Sequence, residues 1–390
     1  MRWLRRPLVI VLVGIAFRIV LISPVLNWLG TPAYPFAGNE PSHIAAHLVR
    51  GEGFSSPFTD LPVPTAQQPP LYPFFMAAVF EGFGTFSKTS LFVILAVNCF
   101  AGALSAFFIY RAGLIHFSSL TGLLAAWTWS IFTPVAITDL TLSSYPFAAL
   151  AVVLWLNFVP TLIPTIRNWI LLGLALGVML LLNPMLGLVV PASLLWLNKK
   201  QTTITLLAAF LCVLPWYVRN YRVTGRLYPA LRDNFGLELY IGNHAGMSGL
   251  YDYQTGESPY GSELPKLGEP RFFEAREKDA LAYIRSAPVD FMVRSMKRCA
   301  EFWTSPWPVA YAAILVLAIC GFRMVPPAFA VFTVTLFVAY PLVFYITQCS
   351  WPTAYRHPVE PMILLLAAQP ISKLLRNRPR LGSRNIKMSA

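Results

Sequence analysis

The chain has 390 residues, of which 56% are apolar and only 12% are charged, and its mean hydropathy is +0.58. A soluble protein of this size has about a quarter of its residues charged. The composition therefore excludes a soluble enzyme, a disordered scaffold and a small disulfide-rich module, and it predicts an integral membrane protein. Because charge in such a protein is sorted between the two sides of the membrane, the net charge of +13 does not indicate nucleic-acid binding, and we expect no nucleic acid as a partner.

Apolar runs, taken in chain order, predict about ten membrane-spanning helices. A helix needs about 17–25 apolar residues to cross the hydrocarbon. The predicted spans are 7–28, 88–110, 118–137, 146–163, 168–183, 184–198, 202–218, 307–324, 326–348 and 358–375. The run 71–84 is apolar but only about 14 residues long, which suits an interfacial helix better than a crossing. Ten spans leave both ends of the chain on the same side.

The positions of the charges test this topology, because cytoplasmic segments are enriched in Lys and Arg. With the N-terminus inside, the inner segments hold fourteen basic residues and no acidic one, and all seventeen carboxylates fall on the other side. We therefore expect a multi-pass protein of the plasma (inner) membrane with cytoplasmic termini.

Two outer segments are too long to be simple connections. They cover about 29–87 and about 219–305, and the second has twelve basic and eleven acidic residues and a helical stretch over 272–302. The fold class is therefore an all-α polytopic membrane protein with interfacial helices and a small exoplasmic layer, on which we expect the chemistry to occur. The predicted units are an N-terminal transmembrane catalytic module over 1–218, which includes the first outer loop 29–87, an exoplasmic loop over 219–305, C-terminal transmembrane helices over 306–375 and a basic cytoplasmic tail over 376–390.

The first outer loop contains a carboxylate at the start of a predicted amphipathic helix. Glu40 is followed by Pro41, which suits the first turn of a helix. Partial burial would raise the pKa of Glu40 towards that of a general base, whereas the helix dipole would lower it. The alternative is a carboxylate that only caps the helix. His43 and His47 share a face of this helix and, with Glu40, have a spacing able to hold a divalent metal, but such residues on an interfacial helix are more often solvated residues of its polar face.

Two further charged positions lie along the first spans. Asp139 is a lone carboxylate near the predicted outer surface, where it would join Glu40 across a cleft or serve as an ordinary loop residue. Arg18 lies deep in the first span, where a charge is costly unless it is paired. We therefore expect Arg18 to face the interior of the helical bundle.

Basic residues among aromatic ones occur at two predicted outer boundaries. Arg219 and Arg222 follow Trp216 after the seventh span, and Arg356 and His357 precede the last span. Such residues are suited to bind a lipid phosphate. The alternative is an aromatic belt with arginines that extend to the interface.

Four stretches in this order resemble the polytopic GT-C glycosyltransferases, in particular bacterial relatives of protein O-mannosyltransferases and of the transferase that adds aminoarabinose to lipid A. The resemblance is carried by Asn39-Glu40 with Gly51–Phe54, by Gln68-Pro69-Pro70-Leu71, by Pro215–Tyr221 followed by Tyr240–His244 with Asn243, and by Tyr355-Arg356-His357-Pro358.

The resemblance implies a polyprenyl-phosphate-linked sugar donor, an exoplasmic active site and inversion at the anomeric carbon. It implies that Glu40 is the catalytic acidic residue, that Arg356 meets the donor phosphate, and that Tyr355 and Asn243 lie in matching motifs. The sequence departs from the family at Tyr145, where relatives have an acid, and at Asn183, where they have Lys or Arg. A divalent metal is a possible cofactor.

The sequence thus predicts a membrane glycosyltransferase that moves a sugar from a polyprenyl-phosphate donor to a hydroxyl of a lipid, glycan or protein acceptor, with membrane lipids around it. Two alternatives remain open at this point. One is a transporter or flippase of a lipid-linked glycan, and the other is a non-catalytic relative, which the departures at Tyr145 and Asn183 suggest.

Overall fold

The computed structural model describes residues 7–29, 40–58, 60–188, 197–226, 231–246, 263–325 and 327–377. Within these ranges the regular structure is helical, apart from an isolated bridge between Ser55 and Pro64 in the first outer loop. The prediction of an all-α polytopic protein is confirmed. The predicted span 184–198 and the basic tail 376–390 lie largely outside the described residues.

The first part of the chain folds into eight described α-helices, since long apolar runs alternate with short polar or proline-containing breaks. They are α1 (Pro7–Leu29), α2 (Glu40–Val49), α3 (Leu71–Phe83), α4 (Lys88–His116), α5 (Ser119–Ile131), α6 (Thr133–Asp139), α7 (Tyr145–Phe158) and α8 (Ile166–Leu182). Short 3₁₀ turns follow α7 and α8.

The described remainder of the chain adds the helices of the outer layer and the C-terminal helices. They are α9 (Lys199–Thr224), α10 (Phe235–Gly242), α11 (Leu264–Leu267), α12 (Glu269–Ser286), α13 (Pro288–Thr304), α14 (Pro308–Phe322), α15 (Pro327–Ile346), α16 (Pro352–Arg356) and α17 (Glu360–Asn377). The stretch 272–302, predicted as one helical region, is divided between α12 and α13, because Pro288 opens a new helix.

Four described helices, α1, α4, α9 and α15, are long and apolar enough to cross a membrane on their own. Two bent pairs meet the same requirement together: α5 with α6, bent by 62°, and α13 with α14, bent by 85°. The second helix of each pair has a proline in its first turn, Pro134 in α6 and Pro308 in α14. Proline is tolerated there because the first turn of a helix needs no backbone N–H donor. The chain is therefore a multi-pass membrane protein, and the total of ten spans stays a prediction.

The membrane part is organised around α4, which packs against α1, α5 and α7. Helices α4 and α5 approach closely where Gly113 of α4 lies against Gly122 of α5. A methyl group added to Gly113 would lie only 2.2 Å from the Cα atom of Gly122. On the other side α17 packs against α14 and α5. This packing brings the start of α17 next to the end of α6.

An outer layer lies over one end of the bundle, as the sequence predicts for 219–305. Its small core is formed by α10, α11 and α12 through Leu237, Ile241, Leu264, Phe272 and Phe273, and Phe58 of the first outer loop packs against this core. The two outer loops therefore form one structural unit.

Helix α13 buries charged side chains and exposes apolar ones, the reverse of a helix on the surface of a soluble protein. Arg294 and Arg298 are buried against the protein, whereas Val289, Met292 and Met296 are exposed. Because α13 continues across a bend into the apolar α14, its exposed apolar side is arranged to lie along the membrane surface.

Candidate active site

Glu40 is the first residue of α2 and its carboxylate is held from one side by two amides. Gln67 donates from Nε2 to Oε2 over 2.9 Å, and Gln68 donates to the same oxygen. Burial and the nearby negative charge of Glu238 raise the pKa of Glu40, and the two glutamines and the charge of Arg232 offset this rise in part. A half-buried carboxylate with a raised pKa has the property that a general base near neutral pH requires.

A second carboxylate, from the outer layer, is close enough to Glu40 for its charge to raise the pKa of Glu40. Glu238 of α10 lies 3.7 Å from Arg232. It accepts a hydrogen bond from Asn234 over 2.7 Å and another from Gln348 over 2.7 Å. Gln348 also donates to the hydroxyl of Tyr355 over 2.8 Å. The site thus contains two carboxylates from different loops and an arginine beside one of them.

Tyr355, predicted as a substrate-binding residue, lies at the edge of this site. Its ring packs at 5.8 Å on that of Tyr145 and stacks on Phe344 at 4.5 Å. Tyr145, which stands where relatives have an acid, therefore contributes an aromatic surface rather than a charge.

Arg219 and Arg222 follow one another along α9 but have different surroundings. Arg219 donates to the carbonyl oxygens of Thr65 and, over 2.9 Å, of Phe54, and its guanidinium lies 4.9 Å from the centre of the Trp216 ring. Arg222 is exposed. Arg219 therefore fastens the first outer loop to α9, instead of presenting its charge to a ligand.

Asp139 does not face Glu40 across a cleft. It is fully buried, and it pairs with Arg18 at 2.7 Å and with Nε2 of His357 at 2.9 Å. Room for the carboxylate comes from Gly102, since a methyl group added there would lie 2.1 Å from Asp139 Oδ2. The prediction that Arg18 faces the bundle interior with a partner agrees with this arrangement.

Arg356 and His357 complete the same buried network, so the structure gives them ionic partners other than a lipid phosphate. Arg356 donates to Glu360 over 3.1 Å and to the carbonyl of Ser305 over 2.9 Å. His357 Nδ1 lies 3.0 Å from Glu360. Both ring nitrogens of His357 thus lie at hydrogen-bonding distance from a carboxylate, an arrangement that favours the imidazolium because only the protonated ring has a hydrogen to donate from each nitrogen. We call Arg18, Asp139, Arg356, His357 and Glu360 the buried ionic network.

Asn243, predicted to bind substrate, is a buried structural residue. Its Nδ2 donates to the carbonyl oxygens of Leu239 and Ile346, each over 2.8 Å, and its Oδ1 accepts from Arg298 over 2.7 Å. It ties α10 and α13 to the end of α15.

The predicted metal ligands are not assembled as a metal site. His47 is buried, and its Nδ1 lies 2.5 Å from Glu52 and 3.0 Å from Arg50, whereas His43 packs edge-on against Phe86. Among the described ranges no group of three His, Cys, Asp or Glu side chains is able to hold a metal ion. We therefore assign no step to a metal.

The sequence reasoning assigned no role at the site to the residues that surround Glu40. Gln67 and Gln68 precede the proline pair that opens α3, and Arg232 and Glu238 are two of the many charges of the second outer loop. The spacing of Asn234 and Glu238, one helical turn apart, is the only local signal that distinguishes Glu238 from its neighbours.

No protein-family description and no curated protein sequence matches the chain. Two crystal structures of the oligosaccharyltransferase of Archaeoglobus fulgidus are similar over nearly the whole chain. One, complexed with Zn and sulfate, has a TM-score of 0.54 at 14% identity over 95% of this chain. The other, tethered to an acceptor peptide that contains the NVT sequon, has a TM-score of 0.52 at 14% identity over 96% of it. The chain has a GT-C-like fold.

This GT-C-like chain spans about half the length of the archaeal protein, since the matches cover 49% and 51% of those structures. The crystal structure of ArnT from Cupriavidus metallidurans, bound to undecaprenyl phosphate, matches 91% of this chain and 78% of its own at 13% identity, with a TM-score of 0.36. The two archaeal structures, each with a TM-score above 0.5, confirm the fold that the sequence motifs predicted.

Proposed function

We propose that the chain is a membrane glycosyltransferase that moves a sugar from a polyprenyl-phosphate donor to an acceptor hydroxyl on the outer face of the plasma membrane. The observation that carries the proposal is Glu40, a half-buried carboxylate of raised pKa at the start of an interfacial helix, with the charge of Arg232 close enough to act on it. The GT-C-like fold, and the archaeal structure named as an oligosaccharyltransferase with an acceptor peptide, support transfer of a glycan as the class of reaction.

In this proposal Glu40 takes the proton of the acceptor hydroxyl while the acceptor oxygen attacks the anomeric carbon. The bond from that carbon to the phosphate oxygen breaks on the opposite side of the sugar. The electron pair leaves with the polyprenyl phosphate, and the configuration inverts. A lipid, a glycan or a protein would each supply a suitable hydroxyl.

Arg232 is the residue that we assign to the departing phosphate, in the role that the sequence had indicated for Arg356. Its Nε is buried and makes no hydrogen bond within the described part of the chain, and its side chain is beside Glu238 rather than locked onto backbone carbonyls. An arginine of this kind stabilises negative charge that develops on a phosphate oxygen. Tyr355, at the edge of the site, is retained as a candidate contact to the donor, and the exposed Arg222, three residues beyond Arg219 on α9, is a second candidate.

The test is transfer of radiolabelled sugar in vesicles reconstituted with the purified protein. Glu40→Gln removes the base and should lower turnover by about 10²–10⁴-fold, the usual contribution of general-base catalysis. Glu81→Gln, an exposed carboxylate of α3 in the same outer loop, is the matched control and should retain normal turnover.

Each outcome separates one function from the others. Labelled acceptor that depends on Glu40 supports the transferase. Donor that only changes leaflet identifies a flippase, and neither labelled acceptor nor relocated donor identifies a non-catalytic relative. Near-normal turnover of Glu40→Gln would reject the role assigned to this carboxylate.

A further inference from the structure

Six residues connect the isolated bridge of the first outer loop to α3, and the first four of them include the two amides that hold Glu40. We call residues 65–68 the strap. Gln67 and Gln68, at its C-terminal end, donate to one carboxylate oxygen of Glu40. The position and the ionisation of Glu40 therefore depend on where the strap lies.

The strap is fixed on its other side by a buried carboxylate that the proposed reaction does not use. Glu269, the first residue of α12, has only 2% of its surface exposed. Its Oε1 accepts the backbone N–H of Ala66 over 2.7 Å, and its Oε2 accepts the hydroxyl of Thr65. A buried carboxylate that uses both oxygens on consecutive residues holds the backbone between them in one register.

Two more contacts remove the remaining freedom of the strap. The carbonyl oxygen of Ala66 accepts the backbone N–H of Asp233 over 2.9 Å, and that of Thr65 accepts from the guanidinium of Arg219. The two peptide groups that precede Gln67 are therefore bonded to the outer layer or to α9. Gln67 is unable to shift without breaking at least one of these bonds.

The charge around Glu269 is mixed, and the carboxyl group retains its contacts in either protonation state. Burial, with a smaller effect of the negative charge of Asp233, raises the pKa of Glu269 to about 8. The hydrogen bonds from Thr65 and Ala66 and the positive charge of Arg219 act in the opposite direction. When neutral, the group still has an oxygen that accepts the N–H of Ala66 and gains a hydrogen to donate to Thr65 Oγ1. Glutamine has the same donor and acceptor pattern.

From these contacts we infer that Glu269 is a positioning residue for the candidate base, acting through the strap to hold Gln67 and Gln68 against Glu40. This inference rests on the proposed function, because it assigns Glu269 to the same site. Glu269 touches neither substrate, and its effect passes through four residues that join the two outer loops.

The inference is tested by the pH profile of kcat/KM for sugar transfer. Because the glutamine bonds lower the pKa of Glu40, Glu269→Ala should move the acidic limb of the profile upward by about one pH unit, the size expected for losing one hydrogen bond to a charged acceptor. Glu269→Gln should restore the wild-type profile. Gln68→Ala should shift the same limb, and combining it with Glu269→Ala should give less than the sum of the two shifts.

The controls separate a positioning role from a general loss of structure. Glu274→Ala, on the surface of the same helix, should leave the profile unchanged. Should Glu269→Ala fail to fold, Thr65→Val removes, at nearly constant shape, the hydroxyl that bonds to Glu269 and that accepts the backbone N–H of Gln67 over 3.1 Å. It should give a shift in the same direction. An acidic limb that stays in place in folded Glu269→Ala or Thr65→Val protein overturns the inference.

A second readout needs no turnover and so remains valid if the proposed function fails. Carbodiimide modifies protonated carboxyl groups, and peptide mapping by mass spectrometry measures its extent at Glu40. Modification of Glu40 at a fixed pH should rise in Glu269→Ala and not in Glu269→Gln. Absence of sugar transfer by the wild-type protein would reject the proposed function, and full activity of Glu40→Gln would reject the role of Glu40 as base. Unchanged labelling and an unchanged limb in Glu269→Ala would reject only the inference about Glu269 and the strap.

Discussion

Removing the charge of Asp139 should destabilise the protein more than removing any carboxylate at its surface. Asp139 is fully buried between two cations: Arg18 contributes two nitrogens at 2.7 Å and His357 one at 2.9 Å. Asp139→Asn leaves both cations in place, in an interior where an unpaired charge is poorly solvated. Breaking a buried pair in this way costs about 3–5 kcal/mol.

The measurement is the free energy of unfolding of the detergent-solubilised protein, from heat or denaturant titrations. Arg18→Met combined with Asp139→Asn should be more stable than Asp139→Asn alone, since the double variant no longer buries an uncompensated arginine. Glu274→Gln, which removes the charge of an exposed pair with Arg226, should leave the unfolding midpoint unchanged.

The reasoning would be refuted if Asp139→Asn unfolded within about 1 kcal/mol of the wild type. It would also be refuted if the double variant lost the full sum of the two single effects. Either result would mean that water or a rearranged partner neutralises Arg18.

Three further predictions concern the site, the bundle and the outer layer. Glu238→Gln removes a negative charge that raises the pKa of Glu40, so the acidic limb of kcat/KM should move to lower pH. Gly102→Ala places a methyl group against Asp139 Oδ2 and should lower the free energy of unfolding by about 1–3 kcal/mol, measured as above. A polarity-sensitive dye attached to Met292→Cys should report an apolar environment in vesicles, and an aqueous spectrum would contradict a lipid-facing α13.

The helices follow from short-range features, and the sequence predicts most of them well. The spans expected at 7–28 and 88–110 appear as α1 and α4, and the short run at 71–84 appears as α3, because length and apolar content act locally. Pro41 similarly marks the start of α2 with Glu40 at its first position.

The partners of the charged residues were not predictable in the same way. Asp139 and His357 are 218 residues apart and meet only because α17 packs beside α5. The side chains of Asp139 and His357 are equally compatible with an exposed site. The sequence therefore favoured phosphate binding for His357, which the fold buries. Glu269 is likewise indistinguishable in sequence from the other acids of the second outer loop, and Glu238 differs from them only by Asn234 one helical turn before it.

The buried ionic network limits which substitutions this sequence tolerates. Asp139 is paired with Arg18 and with His357 from distant segments, and Glu360 is paired with Arg356 and His357 beside it in the chain. A single change therefore leaves a partner without its counter-charge, and only a paired replacement restores balance. Among relatives that retain this bundle, positions 18, 139, 357 and 360 should therefore vary together or stay fixed, and their covariation would mark the network across more than three hundred residues of chain.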